Sequence, residues 1–194
     1  MPHKNTSDQI LETARDLLAS EGLAAVSFDA IARRLGCTKQ AVLYWYPSKH
    51  DLLAAMFLPW LEAEAETAIQ SVSGTTRRDE AVEAFVRAIA GFHFEDLDRF
   101  RMMYLLPQTI KQSVKASHDA ALLDKIHPVT DRMYGALADR LDSDAKGVRQ
   151  EALAIHSAVL GLLLMFGLAD SVRDPLKHNA SEMVSALIAS LRST

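Results

Sequence analysis

The sequence predicts an all-α fold, on three observations. Apolar residues recur at helical spacing through most of the chain. Ser, Thr and Asp start signals and Gly stop signals punctuate that pattern, and no stretch reads convincingly as a strand. Of 194 residues, 49% are hydrophobic and 24% charged, a composition that can bury a sizeable core. A disordered chain lacks the apolar surface to offset its ordering entropy. Eight Gly and six Pro argue against collagen-like or low-complexity segments. A single cysteine cannot form an internal disulfide, so nothing points to an oxidising compartment. The polar start Met1-Pro2-His3-Lys4-Asn5-Thr6 has no apolar signal region. A cytoplasmic protein is expected.

The elements follow in order. Asn5 to Glu21 carries Ile10, Leu11, Ala14, Leu17 and Leu18 on one helical face. Thr6 with Gln9 forms a capping box there, and Gly22 stands where a helix stops. Ser27 caps a second helix with Phe28, Ile31, Ala32 and Leu35 on one side, closed by Gly36. Thr38 caps a third, short helix that Pro47 ends, since proline has no N–H to donate. Ser48 with Asp51 begins a fourth, whose Leu52, Leu53, Met56, Phe57 and Trp60 share a side. Pro59 lies inside that pattern, so a kink or break is expected near it. Residues 72–76 read as a loop. Helical segments follow at 78–95, 97–112, 118–142, 145–171 and 178–192, with Pro107, Pro128 and Gly147 as complications. The prediction is about nine helices in two domains, 1–47 and 48–194, with the helix 48–72 linking them.

The formal net charge is −4, which at face value disfavours a nucleic-acid partner. Between Val26 and His50, however, Arg33, Arg34, Lys39 and Lys49 stand against Asp29 alone. A local basic patch of that size suits a small DNA-contacting module on an acidic protein. The longest apolar run, Ala158 to Ala169, is twelve residues, short of the roughly 20 that span a bilayer. No membrane partner is expected.

Function concentrates in the second and third helices. Two short helices joined by a Gly-containing turn make a helix-turn-helix candidate. Ala32 is small where the helices must touch, and Gly36, four residues on, can adopt a positive φ. Val42 follows six residues later, apolar and β-branched where the second helix packs back. Ile31, Leu35 and Trp45 supply the remaining apolar face. Burying Val42 and Tyr46 leaves Lys39, Gln40, Leu43 and Tyr44 opposite. A recognition helix of this kind puts its N-terminal residues nearest the base edges in the major groove. Lys39 can donate to guanine and Gln40 can bind adenine with two hydrogen bonds. The caps Ser27 and Thr38, with Lys49 at the next helix start, are candidates for contacts that orient the protein on the duplex.

The segment Phe28–Leu53, FDAIARRLGCTKQAVLYWYPSKHDLL, resembles the N-terminal signature of the TetR family of bacterial transcriptional regulators, and the likeness extends back through Ile10–Gly22. The resemblance implies a three-helix DNA-binding domain and a larger helical domain that dimerises and binds a small-molecule inducer. Tyr44 and Lys49 match positions that usually contact DNA in that family. Leu43 stands where the family commonly has a tyrosine that contacts the DNA backbone, so that phosphate contact does not carry over. A thymine-methyl contact is open to it instead. Trp45 holds a position that is often His.

The rest of the chain resembles the family only in length and helical organisation. Its Met and aromatic residues suit either a core or a pocket for an apolar ligand. Trp60, Phe92, His93, Met102, Met103, Tyr134 and His156 are the candidate ligand contacts, with the two histidines as polar anchors. Ala154, Ala158, Gly161, Leu162 and Met165, with Val184, Leu187, Ile188 and Leu191, are the candidate dimer seam, since two such helices can pair with their copies as a four-helix bundle. Burial within one subunit is the competing reading of the same faces.

No His, Cys, Asp or Glu set has convincing metal-ligand spacing, and no cofactor is expected. Ser117-His118-Asp119 is no catalytic triad, because consecutive helical residues do not face one another. With no phosphate loop or nucleophile elbow either, no catalytic residue and no enzyme activity are expected. The reading is a homodimeric repressor released from a palindromic double-stranded operator by a small, mostly apolar ligand, with the helix at Pro59 as the lever between domains. A ligand-independent DNA-binding protein and a helical small-molecule-binding or interaction module remain as alternatives.

Overall fold

The computed structural model describes residues 6–22, 24–105, 116–141, 147–171 and 178–192. Among them the chain forms nine α-helices and no strand. These are α1 (Thr6–Glu21), α2 (Phe28–Leu35), α3 (Lys39–Trp45), α4 (Lys49–Ser73), α5 (Arg78–Phe94), α6 (Leu97–Phe100), α7 (Ala116–Leu141), α8 (Val148–Ser171) and α9 (Ala180–Arg192). A π-helical turn, Arg101–Leu105, follows α6 directly.

The caps read from sequence set both ends of α2 and the starts of α3 and α4. Ser27 Oγ accepts from Ala30 N at 3.2 Å, and Thr38 Oγ1 accepts from Ala41 N at 3.2 Å. Each such cap satisfies a helix-end N–H and contributes roughly 1 kcal/mol. Ser48 and Asp51 exchange hydrogen bonds, each backbone N–H donating to the other's side chain at 3.1 Å. Asn179 and Glu182 do the same at the start of α9, at 3.1 and 2.9 Å. Gly36 ends α2 with φ +65, and Cys37 N then reaches back to Ala32 O at 3.0 Å. A side chain at that φ would be strained.

Three boundaries differ from expectation. The helix α4 runs unbroken through Pro59. Pro59 is exposed, so the hydrogen bond it removes lies toward solvent, where water can serve the stranded carbonyl. In place of a helix over 97–112 there is one turn, α6, capped by Asp96 Oδ1 accepting from Arg99 N at 2.9 Å, and then the π-helical turn. Residues 106–112, with Pro107, lie outside the described part. The eighth helix starts at Val148, because Gly147 has φ +94 and stands before it.

Backbone contacts divide the chain into two compact units, Met1–Trp60 with Gln112–Asp124, and Leu61–Lys111 with Lys125–Thr194. In the first, α2 packs between α1 and α3 over Ile10, Ala14, Leu17, Ile31, Val42 and Leu52. Tyr46 and Ser7 hydroxyls lie 2.7 Å apart, tying the end of α3 to α1. Arg15 of α1 donates to Met56 O at 3.4 Å and lies 5.6 Å from the Trp60 ring centre, joining α1 to the first half of α4.

In the second unit α5, α8 and α9 pack on one another. Phe85, Ile89, Val159, Leu163, Val184 and Ile188 are buried at their junction. Fully burying one side chain the size of Phe85 contributes about 1.5–3 kcal/mol. Arg78 ties the three ends together, donating to Glu151 Oε1 at 2.6 Å and to Leu191 O at 3.4 Å.

Candidate functional site

The short helix α3 presents an unusual surface. Val42 and Tyr46 are buried, while Thr38, Lys39, Gln40 and Tyr44 are exposed. Tyr44 is 80% exposed. Trp45 is also exposed, at 40%, and meets Tyr44 edge-to-face at 5.6 Å. It is therefore not part of the buried face on which the sequence pattern placed it: at the last turn of a seven-residue helix only Val42 and Tyr46 reach the core. Leu43, Ser27 and Lys49 are half-buried. Lys39 Nζ pairs with Asp29 Oδ2 at 2.8 Å, and Arg34 pairs with Glu21 at 2.7 Å. The expected contact residues thus lie on or beside one exposed helix face.

A second cluster is buried in the other unit. Glu64 on α4 is fully buried, as are His93 on α5 and, at 3% exposure, His156 on α8. Glu64 Oε1 lies 3.1 Å from His93 Nε2 and 3.2 Å from His156 Nε2, and Oε2 accepts from the Tyr104 hydroxyl at 2.7 Å. The Tyr134 hydroxyl lies 2.9 Å from His156 Nδ1. Burial raises the Glu64 pKa, but hydrogen bonds from His156 and His93 and their positive charge when protonated outweigh it, bringing the value to about 2. Burial, reinforced by the Glu64 charge, pushes the Tyr104 hydroxyl well above its usual range and Tyr134 up to about 12. The carboxylate is ionised and both phenols keep their protons.

Residues 10–56 match the family model of the bacterial regulatory proteins, tetR family. Over those residues the chain is similar to the DNA-binding domain of that family. The whole chain shares the TetR fold with solved structures. A protein assigned to the TetR family of transcription regulators, from Shewanella sp. PV-4, is 19% identical with a TM-score of 0.67, over 97% of this chain and 96% of the other. The TetR-family regulator PfmR from Thermus thermophilus is 22% identical with a TM-score of 0.58, over 95% and 97%. FadR from Bacillus subtilis, a transcriptional regulator solved with stearoyl-CoA, is 14% identical with a TM-score of 0.66, over 94% and 96%. No curated protein matches the chain.

Within this TetR fold the structure brings His93, His156 and Tyr134 together, with Glu64 between the two histidines. Phe92, Met102 and Met103 are half-buried nearby in sequence, Phe92 with its ring 5.0 Å from that of His93. Trp60 belongs to the other unit, where its aromatic neighbour is Phe57 at 6.0 Å. A shallow hollow of about 160 Å³ between α4 and α7, lined by Ile69, Val72, Ala136 and Arg140, holds none of the expected ligand residues. The side chains of Ser117, His118 and Asp119 lie outside the described part.

Sequence reasoning missed Glu64 and left Tyr104 out of the candidate ligand contacts. Glu64 had a readable signal: it interrupts the row Met56–Trp60–Glu64–Ala68–Val72, which steps by four residues along one helix face. A carboxylate on such a row faces the core. Tyr104 had none, because the π-helical turn that aims it inward leaves no periodic mark.

The candidate seam residues divide. Ala154, Gly161 and Met165 on α8 are exposed, and Ala158 and Leu162 half-buried. Leu153 and Leu168 extend this exposed apolar strip, at 48% and 49% exposure. On α9, Val184 and Ile188 are buried within their own subunit at 6% and 4% exposure, while Leu187 and Leu191 are half-buried. Val184 and Ile188 thus pack inward and have little surface left for a second copy.

Proposed function

We propose that the chain is a homodimeric, sequence-specific DNA-binding regulator, a repressor that leaves a palindromic operator when a small ligand binds. The exposed face of α3 carries this reading. Lys39 and Gln40 stand at the helix end that reads base edges, with Tyr44 and Lys49 placed toward the backbone. Ser27 and Thr38 supply cap-side contacts, and Leu43 offers an apolar contact to a thymine methyl. Such chemistry belongs in the cytoplasm, where the operator is.

The dimer rests on α8. Val148–Ala169 has a mean hydropathy of 2.1 and only 33% of its apolar window is buried. By length and composition alone this helix passes for a membrane span, as core helices also do. His156 argues for the second reading, since it is buried about a third of the way along the helix against an ionised carboxylate of α4. A second copy covering Leu153, Gly161, Met165 and Leu168 removes that apolar strip from water. The solved complex of FadR with stearoyl-CoA supports the ligand reading, because it shows this fold accommodating a ligand.

Selection of genomic fragments by the purified protein, followed by sequencing, tests the proposal. A two-fold-symmetric consensus is expected. Recovery of fragments with no shared sequence contradicts it.

A further inference from the structure

The hydrogen bonds of the buried network place a hydrogen on Nε2 of each histidine. Glu64 Oε1 is the common partner of His93 Nε2 and His156 Nε2, and an ionised carboxylate oxygen only accepts. Both rings therefore carry a hydrogen on Nε2. His156 uses its other nitrogen with Tyr134. His93 Nδ1 is buried and no group among the described residues reaches it. On a neutral ring whose one hydrogen is at Nε2, that atom is a bare acceptor.

What surrounds it is aromatic. Phe92, Phe100 and Tyr104 have ring centres 5.0, 5.3 and 5.6 Å from that of His93. The Arg99 guanidinium lies 3.8 Å from the Phe92 ring centre, and its Nε is also buried without a protein acceptor. Phe92 and Tyr104 are half-buried, so the cluster has an outer edge. Tyr104 stands on the π-helical turn, an irregularity frequent at functional sites.

We propose that His93 is neutral, that its Nδ1 is the anchoring acceptor of a ligand site, and that the ligand is a compact aromatic or alkyl molecule bearing a hydroxyl. The hydroxyl donates to Nδ1. The surrounding rings take the apolar remainder. Arg99 already places a positive charge over Phe92, which disfavours a cationic amine. Glu64 is a positioning residue: by holding Nε2–H it fixes which nitrogen of His93 is left to accept. This site rests on the reading of the chain as a ligand-responsive regulator and gives that ligand its chemical class.

Calorimetric titration of the full-length protein with phenol, anisole and benzylamine, without DNA, tests the site. Phenol is expected to bind at least about fivefold more tightly than anisole, the value of one net hydrogen bond, with benzylamine weakest. In protein with ¹⁵N-labelled histidine, the His93 Nδ1 resonance should shift with phenol and not with anisole. His93→Gln places an amide N–H where Nε2–H was, keeping the bond to Glu64 while removing the acceptor. It should melt close to wild type and lose the phenol preference. If His93→Gln does not fold, the resonance shift in the wild-type protein decides alone. Equal binding of phenol and anisole, or a phenol preference that survives His93→Gln, overturns the proposal. So does a His93 Nδ1 that accepts from bound water while none of the three probes binds. Because these readouts use no DNA, the site can fail while selection of a symmetric operator still succeeds.

Discussion

Lys39 Nζ lies 2.8 Å from Asp29 Oδ2, joining the first turn of α3 to the first turn of α2. Both side chains are about half exposed or more, at 48% and 63%, so the pair adds at most about 1 kcal/mol to stability. Its consequence falls on binding, because the lysine expected to meet a base is held by a carboxylate that DNA must displace.

Asp29→Asn should therefore melt near wild type yet bind an unrelated duplex a few-fold more tightly at low salt. The released ammonium then pairs with phosphates anywhere on the duplex. Filter binding to a random-sequence duplex at two salt concentrations checks this. Unchanged non-specific affinity would show that the ion pair does not restrain Lys39.

Substitutions on the helix face should separate reading from gripping. Lys39→Ala or Gln40→Ala should each cost about 1–3 kcal/mol at one base pair and relax preference there. Lys49→Ala should weaken all sequences alike and lower the salt slope by about one unit. Competition binding against single-base operator variants distinguishes the two patterns. A double variant of Lys39 and Gln40 with wild-type preference would remove α3 from the reading role.

The carboxylate of Glu64 has its pKa lowered from 4.5 to about 2 in the folded chain. A lowered folded-state value means that its contribution is complete above the unfolded value and disappears as pH falls from 4.5 toward 2. That shift corresponds to roughly 3 kcal/mol. Glu64→Ala should lose on the order of 3–5 kcal/mol at neutral pH and show a flatter loss of stability between pH 4.5 and 2. Urea melts of both proteins across that window measure it. Parallel pH profiles would mean that Glu64 is not the group being titrated.

Charge on the α8 strip should break the dimer. Gly161 has open space where a side chain would begin, and Met165 is 55% exposed, so Gly161→Asp and Met165→Asp leave the subunit core intact. Each puts an unpaired charge into a desolvated seam, which is costly. Sedimentation should show folded monomers. A dimer that persists in both variants places the seam elsewhere.

The head of this chain was legible because its information is local. Ser27, Gly36 and Thr38 set helix boundaries through their own backbone chemistry, and Ala32, Gly36 and Val42 fix the packing of adjacent elements. The buried network was legible only in part. His93 and His156 stand out against apolar neighbours, but they meet through Glu64, which lies 29 residues from one and 92 from the other. Long-range convergence of that kind leaves no spacing to read. The face of α9 shows the same limit: Val184 and Ile188 form the apolar row that either a core or a partner would require, and only packing against α5 and α8 decides between them.

Hydroxyl-radical footprinting of the purified protein on its best selected fragment tests the central claim most directly. A homodimer reading with two copies of α3 should protect two symmetric patches, centred about 34–36 Å apart or a further whole helical turn away. That protection should disappear when Lys39 and Gln40 are both replaced by alanine. Uniform protection along the fragment, or symmetric patches that survive the double replacement, would contradict sequence reading by α3.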